Sequence, residues 1–345
     1  MIIDEPKEME KLDFYKILPS LENFPEQCEE GITIGRESAI KIKKPERVFI
    51  CGMGGSGIVG DIIAGLFPNK EIRVFKDYGL PEYVNKNDLV FCISYSGETE
   101  ETLSAFKEAV KRGCEIIGVA SGGQLEIECG KKSAPFIKIP KGLKPRFALG
   151  YLLMPTLVIL EKIKFIEKQN LELVVKNLKE TREEIKIGTY TKDNPAKRIA
   201  LKIMDTIPVV QGFGMYAPIA YRAKTQFNEN AKIPSFSEIF PELNHNSLLG
   251  WQDGSLGGNF SVIIIRDEKE SEQMKRRIDF TKKTIKKSAR NVIEIWSAYP
   301  YALSRVLSTM YVLDFVSVYL AFLRGKDPGE DTLLTTLKTI LKSKE

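Results

Sequence analysis

Histidine is nearly absent from this chain, which contains one, His245, in 345 residues. A metal centre built from several imidazole ligands is therefore excluded. Cysteine does not compensate, because none of the five cysteines forms a Cys-x-x-C pair with another, and such pairs are the usual thiolate ligands of small metal sites. These absences predict chemistry that does not depend on a bound metal ion.

Signals for export, membrane insertion and nucleic-acid binding are also weak. Residues 1–8 lack the basic segment followed by an apolar segment that forms a signal peptide. The longest apolar stretch, residues 147–160, is too short to span a bilayer. The net charge of +5 is mild, and the basic stretch 275–290 has acidic residues in and before it, so we expect a solvated helix face there. Unpaired cysteines are typical of a reducing compartment, and the composition as a whole predicts a cytoplasmic protein.

Two loops rich in glycine and hydroxyl side chains stand out in the first half. The loop 51–57 follows the apolar run 47–50, and the loop 94–102 follows the apolar run 89–93. Each run predicts a buried strand, and each loop precedes a helical pattern, so backbone N–H groups at the helix start can hold an anion. We therefore predict one phosphate group held between the two loops by Gly55, Ser56, Ser94, Ser96 and Thr99.

Two other interpretations of these loops remain open. Gly52, Gly54 and Gly57 fit the Gly-x-Gly-x-x-Gly pattern of a dinucleotide-binding turn, and Asp77 follows the next apolar run, about where a ribose-binding carboxylate would lie. The serines and threonines can also cap helices, which explains one or two of them. The hydroxyl cluster of the second loop favours a sugar-phosphate site, because a dinucleotide site does not need one.

Alternating strand and helix patterns predict an α/β fold with mainly parallel sheets. In the first half we expect strands at 47–51, 72–76, 89–93, 115–120 and 136–139, and helices at 58–67 and 98–112. A long charged helix is expected at 147–187 and a tail helix at 332–342. The strand, glycine loop and helix pattern recurs at 207–227, which indicates a second αβα sandwich. We assign residues 1–160 to the first domain and 161–345 to the second.

Residues 52–102 resemble the first half of a sugar isomerase (SIS) domain. Later segments are similar to the bifunctional phosphoglucose/phosphomannose isomerases, namely 18–27, 224–232 with Asn-Glu-Asn, 240–246 with Asn-His-Asn, and 324–328. The resemblance covers nearly the whole chain. It implies two SIS domains and an aldose–ketose isomerase that interconverts glucose 6-phosphate, and mannose 6-phosphate, with fructose 6-phosphate without a cofactor. It also implies a homodimer with a shared active site.

The resemblance assigns roles to individual side chains. Glu229 would be the base that moves a proton between C2 and C1 of the sugar, and a carboxylate at the negative end of a predicted helix is unusual enough to support such a role. Arg146 would stabilise the enediolate intermediate. His245 would assist ring opening from the neighbouring subunit of the dimer.

A lysine of the tail helix completes the implied site. Lys338 matches the family's tail lysine, which contacts the ring oxygen or O1, and Lys342 and Lys344 are neighbouring alternatives. Two other function classes share parts of these patterns: a non-catalytic sugar-phosphate sensor with SIS loops, and an NAD-dependent oxidoreductase. The Asn-Glu-Asn and Asn-His-Asn motifs favour the isomerase.

Overall fold

The structure is a computed structural model that describes residues 1–297 and 299–342, except the side chains of Lys338 and Lys342. Three helices precede the first strand: α1 (Pro6–Leu12), α2 (Ile17–Glu22) and α3 (Phe24–Glu37). Strands and helices then alternate through β1 (Val48–Cys51), α4 (Gly54–Leu66), β2 (Ile72–Phe75), β3 (Leu89–Ile93), α5 (Glu100–Arg112), β4 (Glu115–Ala120), α6 (Gly123–Lys132) and β5 (Phe136–Lys138).

The second half begins with helices and then alternates in the same way. Its elements are α7 (Leu149–Lys162), α8 (Leu171–Ile185), α9 (Pro195–Ile203), β6 (Ile207–Phe213), α10 (Ala217–Glu229), β7 (Phe236–Phe240), β8 (Phe260–Arg266), α11 (Glu272–Ile285), β9 (Asn291–Trp296), α12 (Ala302–Leu323) and α13 (Thr332–Lys342).

The strand order of the first sheet brings the two predicted loops together. Its strands lie in the order β2-β1-β3-β4-β5, with every pair parallel. The chain leaves β1 toward one edge of the sheet and leaves β3 toward the other. The carboxyl ends of β1 and β3 therefore flank the crevice in which doubly wound sheets bind their ligands.

The second sheet is also parallel and lies in the order β7-β6-β8-β9. Helix α10, which follows β6, contacts α4 of the first half and the buried helix α12. One hydrophobic core runs through both halves and includes Ile50, Leu152, Val210 and Phe315. Because the two halves share this core, the end of α10 is held against the loop that follows β1.

Helix α12 is the central helix of this core. Among the described residues it alone is long and apolar enough to cross a bilayer, yet 89% of its most apolar window is buried inside the fold. Burial of this extent is typical of the core helix of a folded domain, so its length is weak support for a membrane span.

The α/β fold with two parallel sheets and a tail helix is confirmed, but two of the predicted helices were wrong in extent. The long helix expected at 147–187 is two helices, because Lys164 adopts a left-handed backbone conformation (φ 56°) just after α7, a conformation that ends helices. Helix α4 begins at Gly54 instead of residue 58. The glycines of its first turn have low helix propensity, but the position of this turn at the edge of the sheet outweighs that propensity. Strand β7 and helices α1–α3, α6 and α9 were not predicted. The domain boundary near residue 160 stays a prediction.

Candidate active site

The loop after β1 presents the start of a helix to the crevice. Helix α4 begins two residues after the chain leaves β1, and Met53 at its N-cap makes no side-chain capping bond. The first N–H groups of a helix have no partner within it and carry its positive dipole end. A Cβ on Gly55 would lie 3.0 Å from the Cα of Arg146, so glycine allows this helix start to approach Arg146 closely.

The loop after β3 is tied to the first loop by a hydrogen bond. The Tyr95 N–H donates to Ser56 Oγ at 3.1 Å, and Ser56 is buried. Ser94 Oγ lies 2.8 Å from Thr99 Oγ1 and accepts a hydrogen bond from the Gly97 N–H at 3.1 Å. These contacts fix three of the predicted phosphate-binding hydroxyl groups in one cluster at the carboxyl ends of β1 and β3.

Helix capping does not account for this cluster. Thr99 stands at the N-cap of α5, but its side chain makes no capping bond and is turned toward Ser94. Ser96 is exposed and accepts a hydrogen bond from the Glu98 N–H. Gly97 has a positive φ of 73°, and a Cβ there would come within 1.9 Å of the Gly122 carbonyl oxygen, so the tight turn requires glycine.

A cavity of about 250 Å³ opens beside the start of α4. Its walls come from both halves of the chain. They comprise Met53, Gly54, Gly55 and Ile58 of the first loop and α4, Lys76 after β2, Arg146 before α7, and Tyr221, Arg222, Thr225, Gln226 and Glu229 of α10. Three of the predicted site residues, Gly55, Arg146 and Glu229, thus line one space.

Glu229 and Arg146 form an ion pair at the wall of this cavity. Arg146 Nη1 donates to Glu229 Oε2 at 3.3 Å, although the two residues are 83 positions apart. The Glu229 side chain is 32% exposed and that of Arg146 is 5% exposed. A carboxylate that is open to the cavity can exchange a proton with a bound molecule, while the buried guanidinium supplies a fixed positive charge next to it.

The guanidinium of Arg146 is held on its other sides as well. Its Nε donates to Asn230 Oδ1 at 2.8 Å and its Nη2 donates to the Pro328 carbonyl oxygen at 2.6 Å. Burial lowers the pKa of Arg146, and the negative charge of Glu229 acts against that shift. An arginine guanidinium is not deprotonated in proteins, so the side chain remains charged.

A buried ion pair supports the main chain of Arg146. Arg222 donates through Nη2 to Asp314 Oδ2 at 2.8 Å and through Nε to Asp314 Oδ1 at 3.1 Å. The same Nη2 donates to the Arg146 carbonyl oxygen at 2.8 Å. Burial raises the pKa of Asp314, and Arg222 opposes the shift. Helix α10, which carries Arg222, and helix α12, which carries Asp314, therefore hold the main chain of Arg146 in place.

The structure does not bring His245 into this cavity. His245 is exposed and ends a short 3₁₀ helix, Glu242–His245, that follows β7. Its neighbour Asn244 anchors this segment to α11 by donating from Nδ2 to Thr281 Oγ1 at 2.7 Å. The side chain of Lys338, on α13, and residue Lys344 lie outside the described part of the chain, as does the side chain of Lys342.

The matching edge of the second sheet is filled by the protein's own side chains. The Asp267 carboxylate, just after β8, accepts hydrogen bonds from Tyr216 Oη at 2.7 Å and from Arg305 Nε at 2.9 Å. All three residues are buried. An internal carboxylate with its own donors occupies this position, so the first sheet remains the candidate for an anion site.

Sequence reasoning missed several residues that build the site. Arg222 and Lys76 carried no motif that separated them from other cations of a charged chain, and Lys232, at the end of segment 224–232, was given no role. Asn230 had a signal, because it stands in the Asn-Glu-Asn segment beside Glu229. Only the fold shows that Asn230 orients Arg146.

Comparison with known proteins agrees with this geometry. The bacterial phospho-glucose isomerase C-terminal SIS domain family matches residues 192–341, and the SIS domain family matches residues 41–127. A bifunctional phosphoglucose/phosphomannose isomerase from Caldicellulosiruptor bescii is 37% identical over 331 residues, which cover 93% of this chain and 98% of that protein. The chain belongs to this family. It is therefore an isomerase with two SIS domains.

Two further similar proteins limit what can be inferred about the activity of this isomerase. A D-glucosamine-6-phosphate 4-epimerase from Sulfolobus acidocaldarius is 32% identical over 232 residues, which cover 67% of this chain and 72% of that protein. A hypothetical protein from Thermus thermophilus has a TM-score of 0.75 and 14% identity, covering 93% of this chain and 89% of that one. At that identity the likeness supports the fold alone.

The fold and the family argue against the two alternative functions, an NAD-dependent oxidoreductase and a non-catalytic sugar-phosphate sensor. The first sheet has the strand order 2-1-3-4-5, which differs from the 3-2-1-4-5-6 order of the dinucleotide-binding fold. Asp77, the candidate ribose ligand, accepts a hydrogen bond from the Tyr78 N–H. Family membership favours an isomerase over a non-catalytic sensor.

Proposed function

We propose that this isomerase interconverts glucose 6-phosphate with fructose 6-phosphate, and mannose 6-phosphate with fructose 6-phosphate, through a cis-enediolate. The observation that carries the proposal is the Glu229–Arg146 pair, which lines a cavity next to the start of α4. The substrate phosphate is held by Gly55, Ser56, Ser94, Ser96 and Thr99. This leaves the reacting carbons of the sugar to face the ion pair.

The reaction on this proposal moves one carbon-bound hydrogen from C2 to C1 and one proton from O2 to O1. The Glu229 carboxylate takes the proton from C2 of the open aldose, the electrons of that C–H bond form the C1–C2 double bond, and the C1 carbonyl oxygen becomes the charged oxygen of an enediolate. Arg146 stabilises the negative charge that develops on the oxygens. The O2 proton passes to O1, Glu229 gives its proton to C1, and O2 becomes the ketone oxygen. Because no electrons leave the sugar, the chemistry requires no redox cofactor.

Activity toward two aldoses follows from the planar geometry of the intermediate. In the reverse direction Glu229 protonates C2 of the enediolate, which has two faces. Protonation of one face yields glucose 6-phosphate, and protonation of the other yields mannose 6-phosphate. A single base can serve both products if the sugar binds with either face toward it.

A coupled assay tests this function most directly. Purified protein is given fructose 6-phosphate, and glucose 6-phosphate and mannose 6-phosphate are measured separately with specific dehydrogenase couples. We expect both products. A protein that forms neither product would refute the proposal. Glucosamine 6-phosphate is assayed in parallel, because one relative is named as its 4-epimerase, and turnover of this sugar alone would favour that second activity.

We further propose that the protein is a cytoplasmic homodimer in which His245 completes the site of the partner subunit and assists ring opening. The exposure of His245 supports this proposal. So do exposed apolar side chains near it, Leu249 and Leu256, and those on α13, Leu333 and Leu337. Apolar residues around a polar centre are typical of an interface that carries a shared site. Lys338 on α13 is proposed to contact the ring oxygen or O1.

Subunit complementation tests the shared site. Inactive His245→Ala chains are mixed with inactive Glu229→Gln chains and allowed to exchange, and the exchange is confirmed independently by labelled subunits. If His245 acts across the interface, each mixed dimer regains one intact site, and about a quarter of wild-type activity returns under random pairing. A mixture that exchanges but stays inactive would show that His245 acts within its own chain.

A further inference from the structure

A short segment between α12 and α13, residues 328–331, is held by three cations from distant parts of the chain. We refer to this segment as the C-terminal strap. Its contacts are Arg146 Nη2 to the Pro328 carbonyl oxygen at 2.6 Å, Lys232 Nζ to the Glu330 carbonyl oxygen at 2.8 Å, and Lys144 Nζ to Asp331 Oδ2 at 2.8 Å. One of these cations, Arg146, is also the partner of Glu229.

Lys232 makes a second contact that links the strap to the proposed base. Its Nζ also donates to the carbonyl oxygen of Glu229, the last residue of α10. The carbonyl groups at the end of a helix lack partners within it, so the ammonium group supplies one. A single side chain therefore bonds the residue that bears the carboxylate and the strap that bonds Arg146.

The backbone of Lys232 is strained at the position from which its ammonium group makes these bonds. Its φ is 53°, in the left-handed region, where glycine is favoured and a residue with a Cβ is strained. A glycine would adopt this conformation at lower cost. The two hydrogen bonds of the ammonium group offset part of that cost.

The charges around Lys232 come from the site itself. The pKa of Lys232 is lowered, first by burial and then by the positive charge of Arg146, while Glu330, Asp327 and Glu229 act in the opposite direction. The ammonium group is half-buried and lies among the groups that we propose to handle the proton and the enediolate. It is thus close enough to influence both members of the Glu229–Arg146 pair.

We propose that Lys232 is a positioning residue, whose ammonium group clamps the end of α10 to the C-terminal strap and so holds Glu229 and Arg146 in register. The proposal rests on the proposed isomerase function. Without the clamp, Arg146 alone links the strap to the end of α10, and the carboxylate and the guanidinium lose part of their common alignment on the substrate. Misplacement of a reacting group by about 1 Å lowers rates by about 100-fold.

Replacement by glycine separates this role from a purely structural one. Lys232→Gly removes the ammonium group and also relieves the left-handed backbone, so the melting temperature should stay equal or rise. We expect kcat for fructose 6-phosphate to fall by about 10- to 100-fold with KM changed less than about threefold, because alignment is lost while the phosphate contacts remain. Lys232→Arg, which keeps a cation of similar reach, should recover most of the lost kcat.

Lys164→Gly is the matched control. Lys164 has the same backbone conformation, with φ of 56°, and it is exposed just after α7. The same substitution there should preserve both stability and kcat. Wild-type kcat in Lys232→Gly, or an equal loss of kcat in Lys164→Gly, would overturn the proposal.

Hydrogen exchange provides a measurement that does not depend on the reaction. Amides of the strap and the first turn of α13, residues 329–335, should exchange faster in Lys232→Gly than in wild type, and their exchange should be unchanged in Lys164→Gly. A loss of kcat with unchanged exchange would refute the clamp. If the wild-type protein shows no isomerase activity, the proposed function fails, while this exchange experiment still decides whether Lys232 holds the strap.

Discussion

Glu229→Gln is the substitution that most sharply tests the proposed chemistry. The amide has the size of the carboxylate but cannot accept the C2 proton. General base catalysis contributes about 10²- to 10⁴-fold to a rate, and we expect kcat to fall by at least this factor. That loss corresponds to about 3–5 kcal/mol in the activation barrier.

The structure predicts that the fold will tolerate this change. The Glu229 side chain is 32% exposed and lies 3.3 Å from Arg146, and the amide oxygen of a glutamine in its place can still accept a hydrogen bond from the guanidinium. Arg146 keeps its bonds to Asn230 and to the Pro328 carbonyl oxygen. The loss should therefore appear in kcat and not in the free energy of unfolding or in binding of the phosphate group.

A second glutamate provides a matched control. The Glu108 side chain is 27% exposed and pairs with Arg112 Nε at 2.8 Å on α5, outside the cavity. Glu108→Gln removes a charge of similar burial and similar pairing, so it should leave kcat at the wild-type level. The comparison distinguishes loss of the base from the general effect of one fewer negative charge.

Solvent deuterium gives the decisive measurement. With fructose 6-phosphate in heavy water, wild-type protein should place deuterium at C2 of the aldose products, because Glu229 exchanges its proton with solvent. The Glu229→Gln protein should incorporate almost none over the same period. If the variant keeps a kcat within about threefold of wild type, or exchanges at the wild-type rate, Glu229 is not the base and the assignment is wrong.

Three further predictions follow from the same geometry. Replacing both Ser96 and Thr99 by alanine should raise KM by about tenfold for each hydrogen bond lost to the charged phosphate, and steady-state kinetics with unchanged KM would remove these residues from the phosphate site. Exhaustive treatment with a chelator should leave kcat unchanged, since the described residues contain no group of three or more metal-ligating side chains; activity that is lost and then restored by zinc would contradict this. Asp314→Asn should lower the free energy of unfolding by about 3–5 kcal/mol in denaturant titrations, because it leaves the buried Arg222 without its counter-charge, and a cost under about 1 kcal/mol would show that this pair does not support Arg146.

Local patterns were sufficient for most of the fold. The strands of the first sheet were predicted within two residues. The three central strands β1, β3 and β4 are nearly continuous apolar runs, which is typical of strands that are buried on both faces. The predictions failed where local signals are weak or are overridden. Strand β7 (Phe-Ser-Glu-Ile-Phe) lies at a sheet edge and carries no continuous apolar run, and the break between α7 and α8 depends on one left-handed lysine.

The sequence by itself determined the two glycine-rich loops that are candidates for anion binding, because a glycine-rich turn between a strand and a helix exposes N–H groups whatever surrounds it. The Asn-Glu-Asn and Asn-His-Asn segments also mark their residues as unusual by sequence alone. The tertiary structure alone decided which of these groups meet. It brings Glu229 to Arg146 across 83 residues, leaves His245 outside the cavity, and joins Lys232 to a strap 98 residues further along the chain. Contacts of this kind arise from the packing of α10 against α4 and α12. The hydrophobic periodicity of a single segment predicts its own secondary structure but does not predict how two helices distant in sequence will pack.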